Sequence, residues 1–340
     1  VSRRARAWRT LKGDKVLFAS AVAAVILTVS ITIGPSILTR VLGHTSDEPF
    51  PYATDAITRA PVGPFSHVWN TQREYTDDSG YVRKLPPKGT GKTWFFFGAD
   101  GQLGRDELLR LLEGGRTSLE VAVGGTVLAM AIGVLLGTIA GFLGGLVDAV
   151  ISRITEFVMA FPLLLLVIAI GSQSSNWLDT VTLGFLSPGV FSLVVLIGAF
   201  TWFYPARIIR TQVAELRRRE FIDAAVMIGA RDSRILRSHV LPHVIPTAIV
   251  YTTLLIPVNV LLEAGITFLG VGIKLPTPSW GNLLSTVWGS VLNPQLNPSP
   301  VRDRIWLTIF PSVMIFLTVF TFNQLGEGLR EAFAGESEQA

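Results

Sequence analysis

The chain contains no cysteine. That excludes disulfides, zinc–thiolate sites and cysteine nucleophiles. Charge is scarce as well: Asp, Glu, Lys and Arg make up 16% of 340 residues, against about 25% in soluble domains. His44, His67, His239 and His243 are too scattered in sequence to read as one metal site. No Ser/His/Asp set and no His-Glu-x-x-His stretch is present, so no catalytic constellation is expected. GTGKT (Gly89–Thr93) has the look of a phosphate loop, but that pattern needs glycine five residues before Gly91, where Pro86 stands. Asp100-Gly101-Gln102-Leu103-Gly104 resembles a calcium loop only in part, because Gly104 occupies a ligand position.

Apolar residues are abundant, at 49% of the chain. Six apolar stretches read as membrane spans: Val16–Thr39, Ser118–Gly141, Ala149–Gly171, Val190–Ala206, Val244–Ile273 and Ile305–Leu325. A span takes about 20 residues at roughly 1.5 Å rise each. The fourth is marginal and the fifth generous. A cleaved signal peptide is the alternative for the first. Its apolar run exceeds the roughly 7–15 residues of a signal core, and no small-x-small cleavage site follows, so an uncleaved anchor is expected. Val1 reads as a non-methionine start codon or a trimmed end.

Basic residues orient the bundle. Arg3, Arg4, Arg6, Arg9, Lys12 and Lys15 precede the first span. Arg207, Arg210, Arg217, Arg218, Arg219, Arg231, Arg234 and Arg237 lie between the fourth and fifth. The connection from Ser172 to Gly189 has neither Lys nor Arg. Both termini and the 207–243 segment are therefore expected in the cytoplasm, with 40–117 outside. The expected fold is an all-α integral membrane protein of six transmembrane helices.

Gly133, Gly137 and Gly141 recur every four residues and line one face of the second span. Small residues allow close backbone approach where lipid removes the hydrophobic drive to associate. Helix packing is the expected role, with a flexible gating face as the alternative. Arg153 and Glu156 are spaced to pair along a helix. Glu263, with Asn259 one turn before it, lies deep in the fifth span. Intramembrane charge is costly, so these two are candidate pathway or gating residues, with hydrogen bonding to a neighbouring helix as the competing role. Asp106 is expected to cap a short helix, Glu107–Leu112, lying on the membrane surface.

One polar stretch interrupts this pattern: DAAVMIGARDSRILRSHVLP, Asp223–Pro242. Phe221, Ala224, Ala225 and Ile228 fall at helical spacing on one face. Gly229 supplies the backbone that ends a helix, and Asp232 reads as the N-cap of a second. Ile235, Leu236, His239 and Val240 form that helix's less polar face. Pro242 and Pro246 mark an expected turn into the fifth span. Pattern alone leaves two readings, a hairpin on anionic lipid or a surface that docks a protein. Nucleic acid is not expected, since the arginines have no aromatic stacking platform.

Asp223-Ala224-Ala225, Gly229 and Leu241-Pro242 resemble the E-A-A loop of bacterial ABC importer permeases, with Asp223 in place of the usual glutamate. GADGQLGRDELLRLLEGGRTSL (Gly98–Leu119) is similar to a segment of the dipeptide/oligopeptide/nickel permease family, C-type subunit, with Ala99 for threonine. So are AFPLLLL (Ala160–Leu166), LEAGITFLGVGIKLPTPSWGNLL (Leu262–Leu284) and FNQLGEGLRE (Phe322–Glu331). The resemblance covers most of 98–331 and leaves 47–96 without a counterpart.

That resemblance implies a type I ABC importer permease fold. It implies a non-catalytic subunit for di- or oligopeptide import, with nickel chelates, glutathione or another small solute as alternative cargo. Implied partners are a second homologous permease, two cytoplasmic ATPases, an extracytoplasmic substrate-binding protein and membrane lipid. No cofactor is implied in this chain; ATP and magnesium would belong to the ATPases. Asp223, Ala224, Ala225, Gly229, Ala230, Leu241 and Pro242 become the implied ATPase-coupling residues. Ala224 and Ala225 are then the docking face, and Gly229 the elbow. The implied layout is a basic cytoplasmic segment 1–15, an anchor 16–39, an outer loop 40–117, a core permease domain 118–325 and a tail 326–340. An ion-driven transporter would instead show paired intramembrane acids and a repeat; one deep acid and no repeat are present. The loop 47–96 is rich in Pro, Gly and charge, and is expected to extend the docking surface for the binding protein.

Overall fold

A computed structural model describes residues 15–54, 60–69, 73–76, 82–85, 92–101, 103–174, 189–292 and 304–337. The arginines before Lys15, Gly89–Gly91 of GTGKT, most of the Ser172–Gly189 connection and Arg302 lie outside the described residues.

Helix α1 is Lys15–Leu42 and α2 is Glu107–Leu143. Then follow α3 (Gly145–Met159), α4 (Leu163–Ser174), α5 (Val190–Thr201), α6 (Phe203–Leu216) and α7 (Glu220–Met227). A short α8 (Asp232–Ile235) and a π turn (Leu236–Val240) lead into α9 (Leu241–Phe268). The chain closes with α10 (Trp280–Leu292) and α11 (Trp306–Ser337). Among the described residues four helices are long and apolar enough to cross a membrane: α1, α2, the run Asp232–Phe268 and α11. Helices α5 and α6 make a fifth if their 41° bend is read as one broken span. Pro205 has no N–H for the carbonyl of Thr201, one turn back, which places the bend at Trp202. The stretch expected as the third span is divided between α3 and α4. Pro162 disfavours helical backbone at Phe161, and its carbonyl then accepts the Leu166 N–H at 3.1 Å to start α4. The six-span expectation thus meets four unbroken spans, or five with the bent pair, among the described residues.

Three further expectations change. The expected short helix at Glu107–Leu112 does not stop before the second span; α2 runs unbroken for 37 residues. Asp232 is the first residue of α8, and Arg231 holds the N-cap position without a side-chain cap bond. Pro242 and Pro246 do not turn the chain, and both lie inside α9. The π turn accounts for this: Leu241 donates to the carbonyl of Leu236, and the widened turn tolerates the donor that Pro242 lacks.

The described structure is also not purely helical. Strands β1 (Ser66–Trp69) and β4 (Lys92–Phe95) pair antiparallel, with His67 opposite Trp94. Strands β2 (Arg73–Thr76) and β3 (Val82–Leu85) form a separate antiparallel pair. Phe50, Ala53, Val68, Phe95 and Ala99 make a small buried core behind β1 and β4.

Two compact units emerge. One comprises Val1–Val25, Leu119–Ile266 and Leu317–Ala340; the other comprises Ile26–Ser118 and Thr267–Phe316. In the first, the glycine row of α2 meets Trp202 and α6. A methyl group on Gly133 would lie 2.6 Å from Pro205, and on Gly137 or Gly141 2.5 Å from the carbonyls of Ala206 or Arg210. That clearance permits only glycine without a shift of backbone. In the second unit, buried Trp280 lies over Gly115. Its indole donates to the Leu111 carbonyl at 3.0 Å, and its backbone N–H donates to Ser118 Oγ at 3.2 Å. Ser279 and Asn282 cap α10 reciprocally, at 2.9 and 3.2 Å.

Candidate functional site

The loop between α6 and α9 is built on a packed base. Ile222 and Ala225 of α7 are buried with Phe142, Ile209, Val213, Ile235, Val240 and Val244. Helix α7 starts after extended Arg219 and carries Glu220 and Asp223 in its first turn, where carboxylates suit the helix dipole. It ends in a Schellman pair: Gly229 N–H donates to Val226 at 2.9 Å and Ala230 N–H to Ala225 at 3.0 Å. Gly229 has φ +80°, and nothing lies within 4 Å of a side chain built there. Glycine is needed at this position for backbone conformation and not for clearance.

This packing divides the face expected for Phe221, Ala224, Ala225 and Ile228. Ala225 turns inward with Ile222, while Phe221, Ala224 and Ile228 stay exposed. Three residues separate Ile222 from Ala225, and that pair defines the buried face. The outward apolar residues are Phe221, Ala224, Val226, Met227 and Ile228, with Met227 at 82% and Ile228 at 86% the most exposed. Asp223, Arg231, Asp232, Arg234 and Arg237 surround them, all exposed. Leu241 is half-buried and Pro242 exposed at the start of α9.

The loop is tied to its supports by polar contacts as well. Phe221 stacks on His243 with centroids 5.7 Å apart, and Gln212 donates to the His243 carbonyl at 2.9 Å. Arg217 reaches the Leu143 carbonyl at 3.0 Å, at the end of α2. Asp148 and Arg210 join α3 to α6 through a two-point ion pair, with Arg210 Nη2 to Asp148 Oδ2 at 2.7 Å. Sixty-two positions separate these partners, so sequence reading had no local signal for them. The expected Arg153–Glu156 pair forms at 2.8 Å on an exposed face. Such a pair contributes at most about 1 kcal/mol.

Asn259 and Glu263 are both fully buried. Asn259 donates to Thr126 at 2.9 Å, joining α9 to α2. The Asn259 bond is of the kind expected for hydrogen bonding to a neighbouring helix, and Glu263 lies one turn further along α9.

A second polar constellation lies in the other unit, and sequence reading saw only its Asp106 cap. Asp106 accepts the Leu108 and Leu109 N–H groups at 2.9 and 3.4 Å and binds His44 Nε2 at 3.0 Å. Asp100 accepts Arg105 Nε at 2.6 Å together with the N–H groups of Leu103 and Arg105. Arg110 donates to Asp47 at 3.1 Å. Asp100 is therefore engaged by arginine and backbone. No metal-holding group of His, Asp and Glu occurs among the described residues. Glu107, the first residue of α2, is buried as well.

The model of the binding-protein-dependent transport system inner membrane component family matches residues 133–337. A putative peptide permease protein of Brucella ovis is 37% identical over 247 residues, covering 73% of this chain and 74% of the relative. The oligopeptide transport system permease protein OppC of Haemophilus influenzae is 36% identical over 264 residues, covering 78% and 77%. OppC of Escherichia coli K12 is 37% identical over 237 residues, covering 70% and 71%. A solved structure of the MetNI methionine ABC transporter, inward facing, is 16% identical with a TM-score of 0.45, covering 65% of this chain and 97% of that one.

Proposed function

Because the chain belongs to the family of binding-protein-dependent transport system inner membrane components, we propose that it forms half of a translocation pathway for di- and oligopeptides, beside a second homologous permease. It is a non-catalytic, multi-pass permease subunit of an ABC importer in the inner membrane, and the family works with ATPase and substrate-binding components. Peptide cargo is supported by the names of the relatives, which are peptide and oligopeptide permeases. Two ATPases, holding ATP and magnesium, drive the cycle from the cytoplasmic side.

One observation carries the coupling role. An exposed apolar set, Ala224, Met227 and Ile228, is rimmed by charge and mounted on a buried base shared with α6 and α9. Such a face suits a groove on an ATPase, with Gly229 as the elbow behind it. ATPase closure then pulls α6 and α9 together, since Ile209, Val213 and Val244 hold both to the loop. On the outer side, the β2–β3 pair extends the surface that receives the binding protein.

Gly229→Leu tests the coupling role. Its left-handed backbone strains any side chain whatever the space. Membrane insertion should stay normal, while vesicles reconstituted with all subunits hydrolyse ATP without accumulating peptide. Normal peptide uptake would count against the role. Mass spectrometry of solute bound to the complex from native membrane tests the cargo separately. Recovery of nickel chelates, glutathione or another small solute without peptides would overturn it.

A further inference from the structure

The β1–β4 ribbon has two unlike faces. Val68 and Phe95 point into the small core. On the other side, His67 packs at a tilt against Trp94 across the strands with centroids 4.0 Å apart, and Trp94 stacks against Phe96 at 6.0 Å. Trp94 and Phe96 are exposed, and Phe65 is 71% exposed. Phe65 also holds φ +59°, a conformation that bulky residues rarely adopt. Its N–H donates to the Phe96 carbonyl at 3.2 Å, which fixes the ring beside Phe96. A strained backbone that presents an apolar ring outward is a reason to look for what the ring meets.

The position of the ribbon says what that is. Phe97 stacks on Phe310 with centroids 4.2 Å apart and planes 18° from parallel. A side chain on Gly98 would meet Trp306 Nε1 at 3.0 Å. Trp306 and Phe310 are the first turns of α11, a membrane span. The ribbon is thus anchored where a span enters the bilayer. Ile305, Ile309, Val313 and Phe316 form an exposed apolar stripe down that same part of α11. The exposed rings therefore sit on a segment anchored at the outer end of that stripe, through Phe97 on Phe310 and Gly98 against Trp306. Trp94 joins an apolar ring to an indole N–H, and such rings concentrate at this depth; Phe65 and Phe96 supply apolar rings of the kind that interfacial elements bury at the acyl boundary.

We propose that Phe65, Trp94 and Phe96 form an aromatic foot that rests in the headgroup–acyl boundary of the outer leaflet, with phospholipid as its occupant. The foot holds the outer segment at fixed height over the start of α11.

The chain's lack of cysteine makes the test direct. Phe65→Cys, Trp94→Cys and Phe96→Cys are each spin-labelled in the full complex. The complex sits in nanodiscs of phosphatidylethanolamine and phosphatidylglycerol, with the cysteine-free chain as the blank for partner thiols. Glu48→Cys serves as the aqueous reference. The expected result is loss of collision with a water-soluble nickel chelate at 65, 94 and 96 relative to 48, while oxygen collision rises. Nickel access equal to that at 48 overturns the proposal. Access lost only when the binding protein is added also overturns it, and identifies a protein-docking face instead. Should a label disturb folding, the unmodified complex is irradiated with photoactivatable phosphatidylethanolamine. Adducts in 60–69 and 92–98 support the foot; adducts confined to the spans overturn it.

Discussion

Gly98–Arg110 and Asp223–Arg237 are two charge-rich stretches in an apolar chain, and the structure uses them in opposite ways. In the first, Asp100, Arg105, Asp106 and Arg110 are buried and bonded to one another, to His44, to Asp47 or to backbone. In the second, Asp223, Arg231, Asp232, Arg234 and Arg237 are exposed around an apolar tip. Buried charge survives only when each group has a partner, so the first stretch acts as a clasp. Exposed charge costs little and is free to rim a docking surface. Charge density alone does not separate the two uses; burial does.

The clasp side should break hardest. Asp106→Ala strands His44 and removes the cap of α2, and should cost roughly 3–5 kcal/mol. Thermal unfolding of the purified complex checks this, and an unchanged Tm would remove the clasp from the account. Next comes the buried base of the loop. Ile222→Ala should destabilise by about 2–5 kcal/mol, read by the same melt. Gly137→Ala should follow at about 1–3 kcal/mol, since the added methyl group meets the Ala206 carbonyl. Met227→Ala should change stability by less than about 0.5 kcal/mol, yet reduce peptide uptake in vesicles. A Met227 variant that melts early would blur the contrast between base and tip.

Much of the loop was legible because its signals are local. Gly229 reads as a helix end from sequence and closes a Schellman pair in the structure. Gly133, Gly137 and Gly141 repeat at helical spacing, which shows one face without naming what meets it. The inward turn of Ala225 was not legible. Helix α7 carries apolar side chains on both faces, and only the packing of Ile222 against Val213 and Val244 decides between them. The unbroken α2 was hidden for another reason. Gly114-Gly115 looks like a helix break, but it is a notch where Ser279 and Trp280 pack. The ribbon was hidden because β1 and β4 are four residues each and their pairing joins Ser66–Trp69 to the distant Lys92–Phe95. Asp148 and Arg210 pair across 62 positions, beyond any helical or strand period.

The central proposal is that Ala224, Met227 and Ile228 engage the ATPases, and that the buried base beneath them carries the motion to α6 and α9. Its most direct measurement is ATPase retention and peptide uptake in a Met227→Asp, Ile228→Asp double variant of the assembled complex. Normal insertion and an unchanged melting temperature are predicted, with the ATPases lost on purification and uptake abolished. A complex that keeps its ATPases and imports peptide at the native rate would contradict the claim.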